Sequence, residues 1–174
     1  MGPLEETALA IAEARLPITL VVIAGRNQKL KARLEARTWP IPAFVYGFVR
    51  DMPTFMRAAD VLVTKAGPGT ISEALNASLP MILYSRLPGQ EDGNIPYVTE
   101  NGAGIWAPSV PKIVSALRYW QTNRAAYAQA RQACREMARP TAARDIARCL
   151  MERLQTLQRH PPATPAQIAS VEDQ

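Results

Sequence analysis

Residues 64–74 read Thr-Lys-Ala-Gly-Pro-Gly-Thr-Ile-Ser-Glu-Ala, and their types and spacing suit the binding of a diphosphate. An apolar stretch ends here, a glycine-rich turn follows, and a helical pattern begins. Gly67 and Gly69, with Pro68 between them, allow close approach to the backbone. The first N–H groups of a helix have no intrahelical acceptor and carry the positive end of its dipole, so phosphate oxygens are favoured there. The Thr70 hydroxyl adds a donor. Glu73, expected in the first helical turn, offers a carboxylate to two ribose hydroxyls. The same Thr-x-x-Glu spacing also describes a capping box, in which Thr70 and Glu73 serve only the helix's own backbone. On these residues alone the two readings stand level. The motif is neither G-x-G-x-x-G nor a Walker A sequence, so dinucleotide and ATP binding have no motif support.

A second constellation, Leu87-Pro88-Gly89-Gln90-Glu91-Asp92-Gly93-Asn94, follows another apolar stretch. Gln90, Glu91 and Asn94 supply the mixed donors and acceptors that sugar hydroxyls require. Polar residues beside glycines are also ordinary turn chemistry. Each motif is weak alone; together, at adjacent strand ends, they are moderately specific. Two further strand ends point the same way. Arg26 and Asn27 place a cation and an amide where a diphosphate or sugar would lie. Phe48 and Val49 offer an apolar wall and a backbone edge for a planar base. Arg26 and the neighbouring Arg50 are equally well read as surface charges.

Other chemistry is poorly served. The only histidine, His160, lies in a Pro-rich segment, so this chain offers neither a His-centred triad nor a His-rich metal site. Cys134 and Cys149 have no C-x-x-C spacing and read as reduced residues without metal or redox roles. No metal or cofactor is expected. Nine arginines lie between Arg118 and Arg159 against Glu136, Asp145 and Glu152, within a net charge of +5. Arg131, Arg135 and Arg139 recur every fourth residue, so a single helix would carry them on one face. Such a face suits anionic lipid headgroups or plain solvent equally. Aromatics do not interleave with the basic residues, which argues against nucleic acid. No stretch approaches the ~20 apolar residues of a membrane span, and the acidic start lacks a signal-peptide pattern, so a cytoplasmic location is expected.

Alternating helices and strands must position these residues. Helical patterns cover residues 4–16, 27–37, 52–59, 71–77 and 96–101. Apolar strands cover 18–24, 43–48, 61–64, 81–84 and 104–107, the first of them reading as fully buried. Three further helices are expected over 111–120, 124–137 and 141–158, with Arg139-Pro140 as the break before the last. The expected fold class is α/β, a doubly wound parallel sheet, followed by a disordered polar tail over 159–174. The alternation begins with a helix, whereas such sheets normally begin with a strand that lies mid-sheet beside the switch point. The sheet therefore reads as lacking its first strand, with unpaired edges on either side of the vacant position.

The chain resembles the C-terminal domain of MurG-like glycosyltransferases of family 28, which have the GT-B fold. The closest likeness is the branch of monogalactosyldiacylglycerol synthases and processive diacylglycerol glucosyltransferases. It extends from residue 1 to about residue 154 and is strongest over 45–104, including KAGPGTISEA and LPGQE. The resemblance implies a donor half, residues 1–158, that binds a UDP-hexose as co-substrate. Gly67, Gly69 and Thr70 would hold the diphosphate and Glu73 the ribose. Gln90 and Glu91 would contact the sugar, and Phe48-Val49 would flank uracil. It also implies a lipid acceptor of diacylglycerol type, a position at the inner face of the membrane, and a separate N-terminal domain or subunit supplying the acceptor site and catalytic base. That domain and the first strand are absent from these residues, so the chain reads as N-terminally truncated or as one subunit of a split enzyme. A non-catalytic nucleotide-sugar-binding subunit and a MurG-type UDP-N-acetylglucosamine transferase are the alternatives.

Overall fold

The structure is a computed structural model that describes residues 4–159, with side-chain surroundings described as far as residue 156. The tail expected over 159–174 lies outside the described residues, apart from the backbone of Arg159, which is helical. Two compact units are present, one up to Ala138 and one from Arg139. The first alternates helix and strand: α1 (Leu4–Glu13), β1 (Leu20–Ile23), α2 (Gln28–Glu35), β2 (Ala43–Tyr46), α3 (Met52–Ala58), β3 (Leu62–Lys65), α4 (Pro68–Asn76), β4 (Met81–Ser85), α5 (Asn94–Thr99), β5 (Gly104–Trp106), α6 (Val110–Thr122) and α7 (Arg124–Met137). The second contains α8 (Ala142–Arg159).

All the strand pairs are parallel, as the helix between each pair requires. They form two sheets, β1-β2 and β3-β4-β5. The strands are thus divided between two sheets rather than joined in one. β4 is the central strand of its sheet and is enclosed on both faces. The pleat sends Met81 and Leu83 to one side, against Ile71, Ala74 and Leu75 of α4 and Val98 of α5. It sends Ile82 to the other side, against Ile11 of α1 and Ile113, Ala116 and Trp120 of α6. This is the doubly wound arrangement.

The β1-β2 sheet is covered on one face only. Val22 and Ala24 pack with Ala8, Leu30 and Leu34 of α1 and α2. The paired Val21 and Phe44 are 46% and 54% exposed on the opposite face. The expectation of a fully buried first strand is thus corrected. An unbroken apolar run shows that both faces of a strand are apolar, not that both are covered.

α4 begins earlier than its apolar periodicity indicates, at Pro68 rather than Ile71. Proline is suited to the first helical position because its fixed φ is helical and it has no N–H to leave unsatisfied. The helix ends in a Schellman motif. Ser78 adopts a left-handed φ of 55° while Leu79 N–H reaches Ala74 O and Ser78 N–H reaches Leu75 O.

The basic face expected at the C-terminal end is also corrected. Arg131 and Arg135 lie on α7, but that helix stops at Met137 and Ala138 turns to an extended conformation, so Arg139 is not part of it. In the second unit, Ile146, Leu150, Met151 and Leu154 of α8 are more than half exposed.

Candidate functional site

The carboxyl ends of β3 and β4 carry the two principal motifs, and the structure joins them. Gly67 is the N-cap of α4, with φ −73° and ψ 130°, and no side chain caps the helix. The first backbone bond onto the helix runs from Ile71 N–H to Gly67 O at 3.0 Å. The N–H groups of Gly69 and Thr70 precede it, and Pro68 has none. Two backbone donors thus sit at the positive end of a nine-residue helix.

This geometry replaces two expectations. Thr70 is the third helical residue rather than the cap, so Thr70 and Glu73 do not form a capping box. Glu73 is the sixth helical residue, in the second turn rather than the first. It lies four positions after Gly69 and three after Thr70, so the three share one face. The Cα–Cβ bond of a helical residue tilts toward the N-terminus, which aims Glu73 over Gly69. Gly69 presents no side chain, and a Cβ placed there would meet nothing within 4 Å. The result is an open notch bounded by free N–H groups at one end and a carboxylate at the other. The Thr70 hydroxyl and the Glu73 carboxylate have no side-chain hydrogen bond among the described residues, and Glu73 is exposed.

The loop after β4 is braced by its own acidic residues. Glu91 is 5% exposed. Its Oε1 accepts from Lys65 Nζ at 2.5 Å and its Oε2 from Leu87 N–H at 2.7 Å. The Lys65 hydrogen bond and then the Leu87 N–H hold the Glu91 carboxyl below its ordinary value. Asp92 accepts from the Arg86 guanidinium and, at 2.8 Å, from Gly89 N–H, and these bonds in that order lower its pKa. Gly89 has φ +82°, a conformation that side chains disfavour. With Glu91 turned inward and the exposed Asp92 tied to its own loop, the exposed Gln90 stands at the loop tip.

Asn94 bridges the two motifs from the start of α5. Its Nδ2 donates to Ala66 O at 2.8 Å, fixing the carbonyl that precedes the Gly67 turn. One of its two polar atoms is thereby engaged with backbone rather than turned to a ligand.

The other pair of strand ends also comes together. The Arg26 guanidinium, after β1, lies 5.0 Å from the ring centroid of Phe48, after β2. Phe48 is 57% exposed and Val49 half-buried, so an aromatic face and a cation share one surface. Asn27 is the N-cap of α2, its Oδ1 accepting from Leu30 N–H at 3.0 Å, and this engages the amide oxygen the sequence assigns to a ligand.

Sequence reasoning passed over Lys65, Arg86 and Asp92. Lys65 had a visible signal, since it is the last residue of a strand whose carboxyl end carries the motif. Among the described residues, no three His, Cys, Asp or Glu side chains are grouped so as to hold a metal ion. No helix among them is long and apolar enough to cross a membrane.

The glycosyltransferase family 28 C-terminal domain matches residues 4–146. Monogalactosyldiacylglycerol synthase 2, chloroplastic, of Arabidopsis thaliana is 45% identical over 160 residues, covering 87% of this chain and 34% of that protein. A probable monogalactosyldiacylglycerol synthase, chloroplastic, of Nicotiana tabacum is 47% identical over 127 residues, 69% of this chain and 24% of its own length. The chain thus spans about a third or less of the curated relatives it matches. Among solved structures, MurG of Acinetobacter baumannii superposes with a TM-score of 0.65 at 20% identity, over 83% of this chain and 44% of MurG. The spinosyn rhamnosyltransferase SpnG aligns with a TM-score of 0.63 at 19% identity, over 87% and 41%. These neighbours share the GT-B fold. With the family pattern matched across most of its length and the parallel α/β architecture in place, this chain belongs to the glycosyltransferase family 28 C-terminal domain family.

Proposed function

We propose that this domain binds a UDP-hexose and presents its anomeric carbon for transfer to a lipid acceptor of diacylglycerol type. The observation that carries this reading is the notch at the start of α4. Two free N–H groups, the Thr70 hydroxyl and the Glu73 carboxylate converge on space left open by Gly69. A diphosphate on the helix terminus puts a ribose near Glu73, whose two oxygens accept from adjacent hydroxyls. Gln90 at the loop tip reaches the hexose, with Glu91 and Asn94 shaping the loop behind it. Phe48 and Val49 flank the uracil, and Arg26 and Asn27 line the approach to the diphosphate.

The chemistry is displacement at the anomeric carbon, with UDP as leaving group. Charge develops on the diphosphate as that bond breaks, and helix-terminus amides stabilise it without reorganising. No protein-held metal is needed for this step. The acceptor site and the base are assigned to a partner domain or subunit, at the inner face of a membrane. The identity to monogalactosyldiacylglycerol synthases supports an acceptor of diacylglycerol type over the polyprenyl-linked one of a MurG-type enzyme.

Isothermal titration with UDP tests the donor site. Glu73→Ala should abolish detectable binding while leaving the circular dichroism and melting temperature unchanged, since the side chain is exposed. Retained UDP affinity would remove Glu73 from the site. Co-expression with a cognate acceptor domain tests transfer, and no glycolipid product would leave a nucleotide-sugar-binding subunit as the function.

A further inference from the structure

Lys65 belongs to the first motif and pairs with Glu91 of the second, and neither the fold nor the donor reading accounts for it. It closes β3, two residues before the N-cap of α4. Its Nζ lies 3.5 Å from where a Cβ on Gly67 would stand, with Glu91 Oε1 3.7 Å from the same point. The ammonium therefore rests against the turn that opens α4. It gives one donor to Glu91, whose side chain is 7% exposed, while its own side chain is 56% exposed. An ammonium has three donors, and the other two have no hydrogen-bond partner among the described residues.

A surface ion pair alone would be an unremarkable loop brace. Here the two partners differ. Glu91 is buried and fixed by Leu87 N–H, whereas Lys65 is exposed and carries a flexible stem. The fixed partner thus holds the mobile cation over the anion-binding end of a helix.

We propose that Lys65 is a diphosphate-binding residue that also positions the sugar loop. One N–H stays on Glu91 and another takes a phosphate oxygen of the nucleoside diphosphate. Loop 87–93 and the Gly67–Thr70 turn then respond to the donor as one unit. The inference rests on the nucleotide-sugar reading above.

Titration of the full chain with UDP and with uridine tests it, using Lys65→Met, Lys65→Arg and Glu91→Gln, each checked for folding by circular dichroism. Lys65→Met should weaken UDP about tenfold or more while leaving uridine within about twofold, because only the diphosphate meets the ammonium. The salt dependence of UDP binding should flatten with it. Lys65→Arg should recover part of the affinity. Glu91→Gln removes the carboxylate that holds the ammonium over the turn, so UDP should weaken, by less than in Lys65→Met, and UDP-hexose should lose its advantage over UDP. Folded Lys65→Met with an unchanged ratio of UDP to uridine affinity would overturn the assignment alone. A wild-type chain that binds neither UDP nor UDP-hexose would overturn the site reading and the assignment together.

Discussion

Replacing Gly69 by alanine should move stability and binding in opposite directions. Gly69 is the second residue of α4, follows Pro68, and is not among the glycines with positive φ. An added Cβ would meet nothing within 4 Å. The folded backbone therefore has no need of glycine here. Alanine restricts the unfolded chain, and at compatible positions this stabilises by about 0.4–1 kcal/mol. For a domain of this size 1 kcal/mol moves the melting temperature by about 2–4 °C, so the expected rise is roughly 1–4 °C. The same Cβ tilts toward the N-terminus of the helix, into the space where the diphosphate must come within about 2.9 Å of the Thr70 N–H. A misplaced phosphate should lose about 1.4 kcal/mol or more, a tenfold weaker Kd. Differential scanning fluorimetry without ligand and calorimetry with UDP measure the two effects on one preparation. Undiminished UDP affinity would show that the diphosphate does not sit in the notch. A melting temperature below the wild type would show that the space around Gly69 is not open.

The contrast with Gly104 is a control for that reasoning. A Cβ on Gly104 would stand 2.5 Å from Met81 O and 2.7 Å from Val98 Cγ1, inside the β4-β5 ladder. Gly104→Ala should therefore destabilise by about 1–3 kcal/mol, a fall of roughly 2–12 °C, and an unchanged melting curve would show that β5 is free to shift. The two cysteines should differ sharply in alkylation at pH 8. Burial pushes the Cys134 thiol up to about 11, so it should react only on unfolding, whereas the exposed Cys149 should label in the native state. Equal labelling, read by mass spectrometry, would contradict the packing of Cys134 against β5.

The order of elements was legible because burial imposes period and length on apolar residues. The strand starts at Ala43, Met81 and Gly104 follow from the sequence pattern alone. The four strand ends that carry Arg26, Phe48, Gly67 and Gln90 were likewise legible, because parallel connectivity puts them at the same edge of their sheets. The KAGPGT and LPGQE motifs were enough to identify the family by resemblance.

Hydrogen-bond partners were not legible. The Lys65–Glu91 pair spans 26 positions and the Asn94–Ala66 bond spans 28. No local periodicity encodes which of several polar residues turns inward when two loops meet. Sequence alone therefore treated Gln90, Glu91 and Asn94 as equivalent sugar ligands, while folding turned Glu91 inward, tied one end of Asn94 to backbone and left Gln90 exposed. The start of α4 was decided the same way. Thr70 and Glu73 have capping-box spacing, yet with Gly67 as the N-cap neither the hydroxyl nor the carboxylate caps the helix. Composition determined that an anion site was possible at this turn; only the three-dimensional placement of the helix start left its donors unused.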